Sequence, residues 1–122
     1  MAVGIIPNTN IESKYITSNG ITFYQIKTKR GFMMYAWNMN ITANENAPRY
    51  FNKRGTVKVT YPEAFAETAW SFASVTENAG WWNAQTINHT ATDCDVAICG
   101  DSNTTKEVSC IAIGLWKAPE RE

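Results

Sequence analysis

The chain has 122 residues, a length that fits one domain with a single hydrophobic core. Eleven Lys and Arg residues balance eleven Asp and Glu residues, so the formal net charge is zero. Nucleic-acid-binding proteins normally carry a clustered basic excess, and we expect no nucleic-acid partner here. No apolar run approaches the ~20 residues of a membrane helix, so we also expect no membrane insertion.

A polar N-terminal segment precedes a region with a β pattern. Residues 1–19 carry scattered apolar side chains, and we interpret them as an N-terminal arm. Residues 20–122 are the predicted domain. Its first strand is predicted at 21–27, and the basic run that ends at Gly31 is typical of a hairpin turn.

The longest predicted strand follows, from Phe32 to Ile41, and its first half is apolar on both faces. The two sets are Met33, Tyr35 and Trp37 on one face, and Phe32, Met34 and Ala36 on the other. Large apolar patches are rare on the surface of monomers. We therefore predict that both faces are covered, one by the core and one by a neighbouring subunit.

Two connecting segments, 43–55 and 76–83, carry side chains of the kind that bind ligands. The first is a long loop in which Pro48 and Gly55 are predicted to break regular structure. The second holds two adjacent tryptophans, at least one of which should be partly exposed, because neighbouring strand residues point to opposite sides. Aromatic rings stack on sugars, while Arg and Asn supply hydrogen bonds. The candidate binding residues are Arg49, Tyr50, Trp81, Trp82 and Asn83. The alternative is that the aromatic residues anchor both loops to the core.

Residues 56–75 predict two strands joined by a proline corner. Apolar and polar residues alternate up to Tyr61, and Pro62 then removes a backbone donor. Phe65 can plug the corner from inside, and the second strand begins at about Ala69. Such a corner lets a chain pass between the two sheets of a sandwich.

Further strands are predicted at 83–90, 93–99 and 107–116, with turn signals between them. No helical periodicity or internal repeat is present. The fold class is therefore predicted as all-β, an antiparallel β-sandwich of about six to eight strands.

Catalytic motifs are absent, and we predict no enzyme activity, metal or cofactor. His89 is the only histidine, so a metal site with two imidazoles is not possible, and any nucleophile–base pair would depend on this residue. Asp93 and Asp95 share a strand face, which we interpret as a solvated face rather than a carboxylate pair or a calcium ligand set. Cys94 is expected to be a buried, reduced thiol.

Three stretches, taken in order, resemble the C-terminal tip domains of bacteriophage tail-fibre proteins. They are the hairpin of residues 20–37, the corner Tyr61-Pro62-Glu63-Ala64-Phe65, and the closing strand of residues 110–117. Together they cover most of the chain from Gly20 onward. The resemblance implies a homotrimer of β-sandwiches similar to those of H-type lectins, in which residues 1–19 link the domain to a fibre shaft.

The same resemblance implies a non-enzymatic receptor-binding domain of the virion, assembled in the cytoplasm of the bacterial host. Its ligand would be a host surface polysaccharide or lipopolysaccharide, bound during adsorption. Weak binding at single sites would be multiplied by trimeric presentation. Two alternatives stay open: a structural trimerisation or cap domain without a ligand, and a free-standing H-type lectin, which the lack of a signal peptide and of a cysteine framework disfavours.

Overall fold

Nine β-strands make up the part of the chain that the computed structural model describes, residues 10–46, 53–76 and 82–118. No helix occurs in these ranges. The strands are β1 (Ile11–Ser18), β2 (Ile21–Thr28), β3 (Phe32–Thr42), β4 (Glu45–Asn46), β5 (Lys53–Thr60), β6 (Trp70–Val75), β7 (Asn83–Ile87), β8 (Asp93–Gly100) and β9 (Thr105–Leu115).

The strands pair into two antiparallel sheets. The five-stranded sheet has the order β1-β2-β3-β9-β6, and the four-stranded sheet has the order β4-β5-β8-β7. Buried side chains from β3 and β9 pack against those of β5 and β8, so the core lies between the sheets. The predicted all-β antiparallel sandwich is confirmed. The number of strands exceeds the predicted six to eight for two reasons. Strand β1 forms within the N-terminal arm, and the two-residue β4 is an additional edge strand of the four-stranded sheet.

The alternation predicted for the longest strand is present in β3. Met33, Tyr35 and Trp37 are buried, as expected for the core face. On the opposite face Phe32 is exposed. The strand pairs with β9 along its whole length, from Phe32 opposite Leu115 to Thr42 opposite Thr105.

The proline corner connects β5 of one sheet to β6 of the other, as predicted. Phe65 is buried beneath it, and its ring lies edge-on to the rings of Tyr35 and Tyr61 at 5.7 and 5.1 Å. The Tyr35 hydroxyl donates to the carbonyl of Glu63 at 3.0 Å and accepts from its backbone N–H at 2.9 Å. These bonds tie the corner to the centre of the five-stranded sheet.

The prediction that Gly55 breaks regular structure was wrong. This residue lies inside β5, which already begins at Lys53. The carbonyl of Thr42 approaches its backbone so closely that a Cβ atom has no room. Glycine is therefore needed here for close packing of two chain segments within the sandwich.

Strand β1 is the most exposed strand of the five-stranded sheet. It pairs with β2 from Ile11 opposite Thr28 to Ser18 opposite Ile21. Most of its residues are exposed on both faces, because the four-stranded sheet does not extend beneath it. Its structure therefore depends on β2 and on little else in the described chain.

Candidate functional site

Both predicted binding loops leave the sandwich at the same end. Lys53, where β5 begins, pairs with Gly100 at the end of β8, and Asn83, where β7 begins, pairs with Cys99. The turn after Gly100 starts at this edge too. We call this edge, defined by Lys53, Asn83 and Gly100, the loop end. Segments that are distant in sequence are thus brought to one edge of one sheet.

Trp82 is half-buried and has a clear packing role at the loop end. Its ring lies directly on Gly100, where a Cβ atom would overlap the indole. The Lys106 ammonium stands 5.4 Å from the ring centroid. Trp82 also packs against the core cluster. The expectation that at least one of the two adjacent tryptophans is partly exposed is met by Trp82.

Asn83 is exposed and lies on the solvent-facing side of β7, together with Gln85. Its amide is therefore held by a strand at the edge of the loop end. Arg49, Tyr50 and Trp81 lie outside the described residues. Of the five candidate residues, the structure thus places Trp82 and Asn83 next to each other at one end of the sandwich.

A large aromatic and aliphatic surface covers the outer face of the five-stranded sheet. Strand register aligns two rows of side chains across this face, which we call the outer ladder. The rows are Tyr15, Tyr24, Ala36, Ile111 and Phe72, and next to them Ile26, Met34, Ile113 and Trp70.

Three aromatic side chains of the outer ladder are highly exposed: Tyr15 at 75%, Trp70 at 65% and Phe72 at 59%. With roughly 200 Å² per aromatic side chain, these three leave about 400 Å² open to solvent. That area already matches the largest apolar patch of a typical monomer, and Ile111 adds to it. The sequence pattern of β3 indicated this face, but only the register shows that five strands contribute to it.

A shallow trough of about 390 Å³ lies where the outer ladder meets polar residues. The rings of Tyr15 and Tyr24 line it, with centroids 5.0 Å apart and planes tilted by 46°. On the other side the Ser109 hydroxyl donates to the Asn38 side-chain carbonyl at 2.8 Å, which leaves the amide NH₂ group to donate. The lining of the trough thus combines two aromatic rings with the amide of Asn38, all carried by β-strands.

The structure brings the only histidine close to a serine. Ser71 Oγ and His89 Nδ1 are 2.8 Å apart, and the carbonyl of Ser71 accepts a bond from Thr86 Oγ1 at 2.6 Å. Ser71 is only 5% exposed, and its side chain faces the core. The contact therefore joins β6 to the turn between β7 and β8, and a substrate has no access to the serine hydroxyl.

The two aspartates of β8 are bound to neighbouring side chains. Lys58 Nζ lies 3.4 Å from Asp95 Oδ1 and 3.9 Å from Asp93 Oδ1. Asn88 donates to Asp95 at 2.7 Å, and this hydrogen bond, together with Lys58, lowers the pKa of the Asp95 carboxyl from its ordinary value. The arrangement stabilises the turn before β8.

The described residues contain no group of three or more His, Cys, Asp or Glu side chains placed to hold a metal ion. Within the same ranges, no helical segment has the length and hydropathy of a membrane span.

No protein-family model and no curated protein matches the chain. Two solved structures match the chain in fold. A C-terminal fragment of the P. aeruginosa R1 pyocin fibre is 10% identical with a TM-score of 0.52, and the match covers 84% of this chain and 28% of the fibre fragment. An N-truncated R1-type pyocin tail fibre is 11% identical with a TM-score of 0.52, and the match covers 93% of this chain and 96% of that chain. The sandwich of this protein is similar in fold to domains of pyocin tail fibres.

Proposed function

We propose that the protein is a non-enzymatic tip domain of a phage-type tail fibre, which binds a surface glycan of the bacterial host during adsorption. The observation that carries this proposal is that the strands following both candidate binding loops begin at one end of a sandwich whose fold is similar to that of pyocin tail-fibre domains. The resemblance of its motifs to the H-type-lectin-like tips of tail fibres supports the same role. The location would be the virion, with assembly in the host cytoplasm.

The glycan would bind at the loop end. The part of the half-buried Trp82 ring that stays exposed would contact the C–H side of a sugar, and the Asn83 amide can donate to and accept from hydroxyl groups. Arg49, Tyr50 and Trp81 would complete the site. Such a site holds a host polysaccharide or lipopolysaccharide chain by a few contacts, so its affinity alone is weak.

Assembly as a homotrimer would compensate for this weakness, since three linked sites rebind before the fibre leaves the cell. The outer ladder supports this oligomeric state. A stable interface buries about 800 Å² per partner. The open aromatic area of the ladder supplies about half of that value, and Ile111 adds to it. Charged side chains are absent from both of its rows.

Binding to a glycan array and to whole host cells tests the proposal. We expect Asn83→Ala to weaken binding about tenfold, because a desolvated hydrogen bond to a sugar is lost. Gln85→Ala is the matched control, since Gln85 is an exposed amide on the same face of β7, two residues farther from the loop end. Trp82→Ala is less informative, because it also removes packing against Gly100.

Normal binding by Asn83→Ala, Trp81→Ala, Arg49→Ala and Tyr50→Ala would contradict the loop-end site. The trough beside Tyr15 would then be the next surface to test with Tyr15→Ala.

A structural trimerisation or cap domain is the second candidate function, and the outer ladder favours it. In that case the chain would form trimers but would bind neither the glycan array nor cells.

A further inference from the structure

Strand β1 forms one edge of the five-stranded sheet, and its backbone can pair on one side only within the described chain. The Lys29 backbone N–H donates to the Asn10 carbonyl at 2.8 Å. Along an antiparallel ladder, opposite residues alternate between hydrogen-bonded and non-hydrogen-bonded pairs. Continuing this alternation through the β1–β2 register turns the backbone N–H and C=O groups of every second residue away from β2. These residues are Ile11, Ser13, Tyr15 and Thr17.

Among the described strands, the other sheet edges are short or covered. Strand β4 has only two residues. Strands β6 and β7 lie side by side, and Thr86 Oγ1 donates to the Ser71 carbonyl at 2.6 Å. Strand β1, in contrast, has eight residues, contains neither Pro nor Gly, and pairs with β2 without interruption. A long, regular edge of this kind is a template for pairing with another chain.

The edge is already formed before a partner arrives. Asn19 and Gly20 connect β1 to β2 with positive φ angles of 53° and 79°, as is typical of tight hairpin turns. The ring centroids of Tyr15 and Tyr24 lie 5.0 Å apart across the two strands. Because β1 is held in this extended form, pairing with a further strand costs little additional conformational entropy.

Two exposed charges of opposite sign decide which strand fits the edge. Glu12 and Lys14 project to the inner side of β1, which the four-stranded sheet does not cover. Neither forms an ion pair with another described residue, and Lys27, which is opposite Glu12 on β2, pairs with Glu63. A negative and a positive charge two residues apart are complementary to a second copy of the same strand that runs antiparallel.

The same charges select one register for this pairing. The outward direction of the odd-numbered backbone groups allows a two-fold axis at residue 12, 13 or 14. An axis at Glu12 sets two carboxylates opposite each other, and an axis at Lys14 sets two ammonium groups opposite each other. An axis at Ser13 sets Glu12 opposite Lys14 twice, and Tyr15 opposite Ile11 twice. Like charges destabilise a cross-strand pair, whereas opposite charges and aromatic–β-branched pairs stabilise it.

We propose that β1 is an association edge, which pairs antiparallel with β1 of a second copy of this chain about a two-fold axis at Ser13. The backbone groups of Ile11, Ser13 and Tyr15 form the interchain hydrogen bonds, so that two five-stranded sheets become one continuous sheet. The exposed side chains of Ile11 and Tyr15 cover each other across the axis.

This contact goes beyond the proposed function, because it involves neither the loop end nor a glycan. A two-fold contact cannot form inside a threefold trimer, since its partners are related by a different symmetry. The edge therefore joins chains of two separate trimers, and the outer ladder joins chains within one.

Disulfide trapping of the full chain tests the contact, in a Cys99→Ser background that removes the half-buried thiol. Ser13→Cys places two thiols opposite each other across the axis, with Cα atoms about 5.5 Å apart, which a disulfide can span. We expect mild oxidation at micromolar concentration to convert most of the chain to a covalent dimer. Thr17→Cys is the matched control, since this residue is exposed on the same face of β1. Its two copies lie about 27 Å apart in the proposed register and should not be trapped.

Charge reversal tests the register. Adding Glu12→Lys to the Ser13→Cys chain sets two pairs of ammonium groups opposite each other and should lower the dimer yield about fivefold. Combining Glu12→Lys with Lys14→Glu restores opposite charges in both pairs and should restore the yield. Glu67→Lys makes the same change of charge at an exposed residue of the proline corner and should leave the yield unchanged.

Four results would overturn the proposal. Absence of a covalent dimer from Ser13→Cys would mean that the edge stays open or is occupied by residues 1–9 of the same chain. Equal yields from Ser13→Cys and Thr17→Cys would indicate random collision. Failure of the double reversal to restore the yield would contradict the register. Loss of the dimer on adding Phe72→Ser would assign the contact to the outer ladder.

Discussion

The two faces of the five-stranded sheet have similar side chains in opposite environments. On the inner face, Phe23 and Tyr35 are fully buried, with ring centroids 5.6 Å apart. On the outer face, Trp70 and Phe72 leave more than half of their surface open. Apolar composition therefore does not decide which face becomes core. The inner face is covered by the chain itself and stabilises folding, whereas the outer face is available for association.

The largest contrast is expected in thiol reactivity. Cys110 points inward from β9, next to the outward-pointing Ile111. Burial raises the pKa of the Cys110 thiol from 9.0 to about 12, with a smaller effect from Cys94. At pH 8 the reactive thiolate is thus about a thousandfold scarcer than in the unfolded chain. Labelling with a chromogenic disulfide should show fast reaction at the half-buried Cys99 alone, and the other two thiols should react only on unfolding. Fast reaction of all three thiols in the folded protein would contradict the burial of Cys94 and Cys110.

Phe65→Ala should give the largest loss of stability. The change leaves a cavity under the proline corner, where the ring contacts Tyr35 and Tyr61, and should cost about 3–5 kcal/mol. Phe72→Ala makes the same change on the outer face and serves as the matched control. Urea unfolding at low protein concentration should show a loss of less than about 1 kcal/mol for this control. Equal losses would mean that the outer face contributes to folding as much as the core does.

Association should respond in the opposite way. Phe72→Ser places a hydroxyl in the outer ladder and should weaken formation of the proposed trimer at least tenfold, or about 1.4 kcal/mol. Ile87→Ser is the control, since Ile87 is a partly exposed residue of the four-stranded sheet. Light scattering over a concentration series measures the effect. A wild-type chain that is monomeric at micromolar concentration would contradict the trimer itself.

The smallest effect on stability is expected on the outer face of the four-stranded sheet, where Asp95 lies. Asn88 and Lys58 lower the pKa of Asp95, so the ionised carboxylate contributes stability that is present above the ordinary pKa of 3.8 and is lost as the pH falls below it. At pH 7, Asp95→Asn should cost less than about 1 kcal/mol, because the Lys58 partner of the ion pair is exposed to solvent. The difference between wild type and variant should vanish in melting curves recorded near pH 2–3. A constant difference at all pH values would assign the effect to packing.

Much of the fold could be predicted because its signals are local. The alternation in β3, β5 and β8 and the proline corner with Phe65 each depend on residues close together in sequence. The break predicted at Gly55 failed for a non-local reason, since the close approach of Thr42 comes from another sheet. The same limit applies to β1, whose mixed polar pattern gives no two-residue period and is organised by pairing with β2.

The candidate sites were harder to predict, because strand register creates them. The sequence named residues of two loops as candidates, and only the pairing of Lys53 with Gly100 and of Asn83 with Cys99 shows that the strands after these loops begin at the same end of the sandwich. The contact between the Lys27 ammonium and the Trp116 ring likewise joins residues that are far apart in sequence. No spacing rule joins such residues in the sequence.

The position of β9 has a consequence for how the protein is made. This strand lies between β3 and β6 in the five-stranded sheet, yet it is the last of the nine described strands to leave the ribosome. Until it is available, β3 has an unpaired edge and β6 has no neighbour in its sheet. Pairing over such sequence distances is slow, and open strand edges are prone to aggregate. The five-stranded sheet therefore cannot be completed before β9 has left the ribosome, and until then nascent chains on neighbouring ribosomes would be exposed to each other through the unpaired edge of β3.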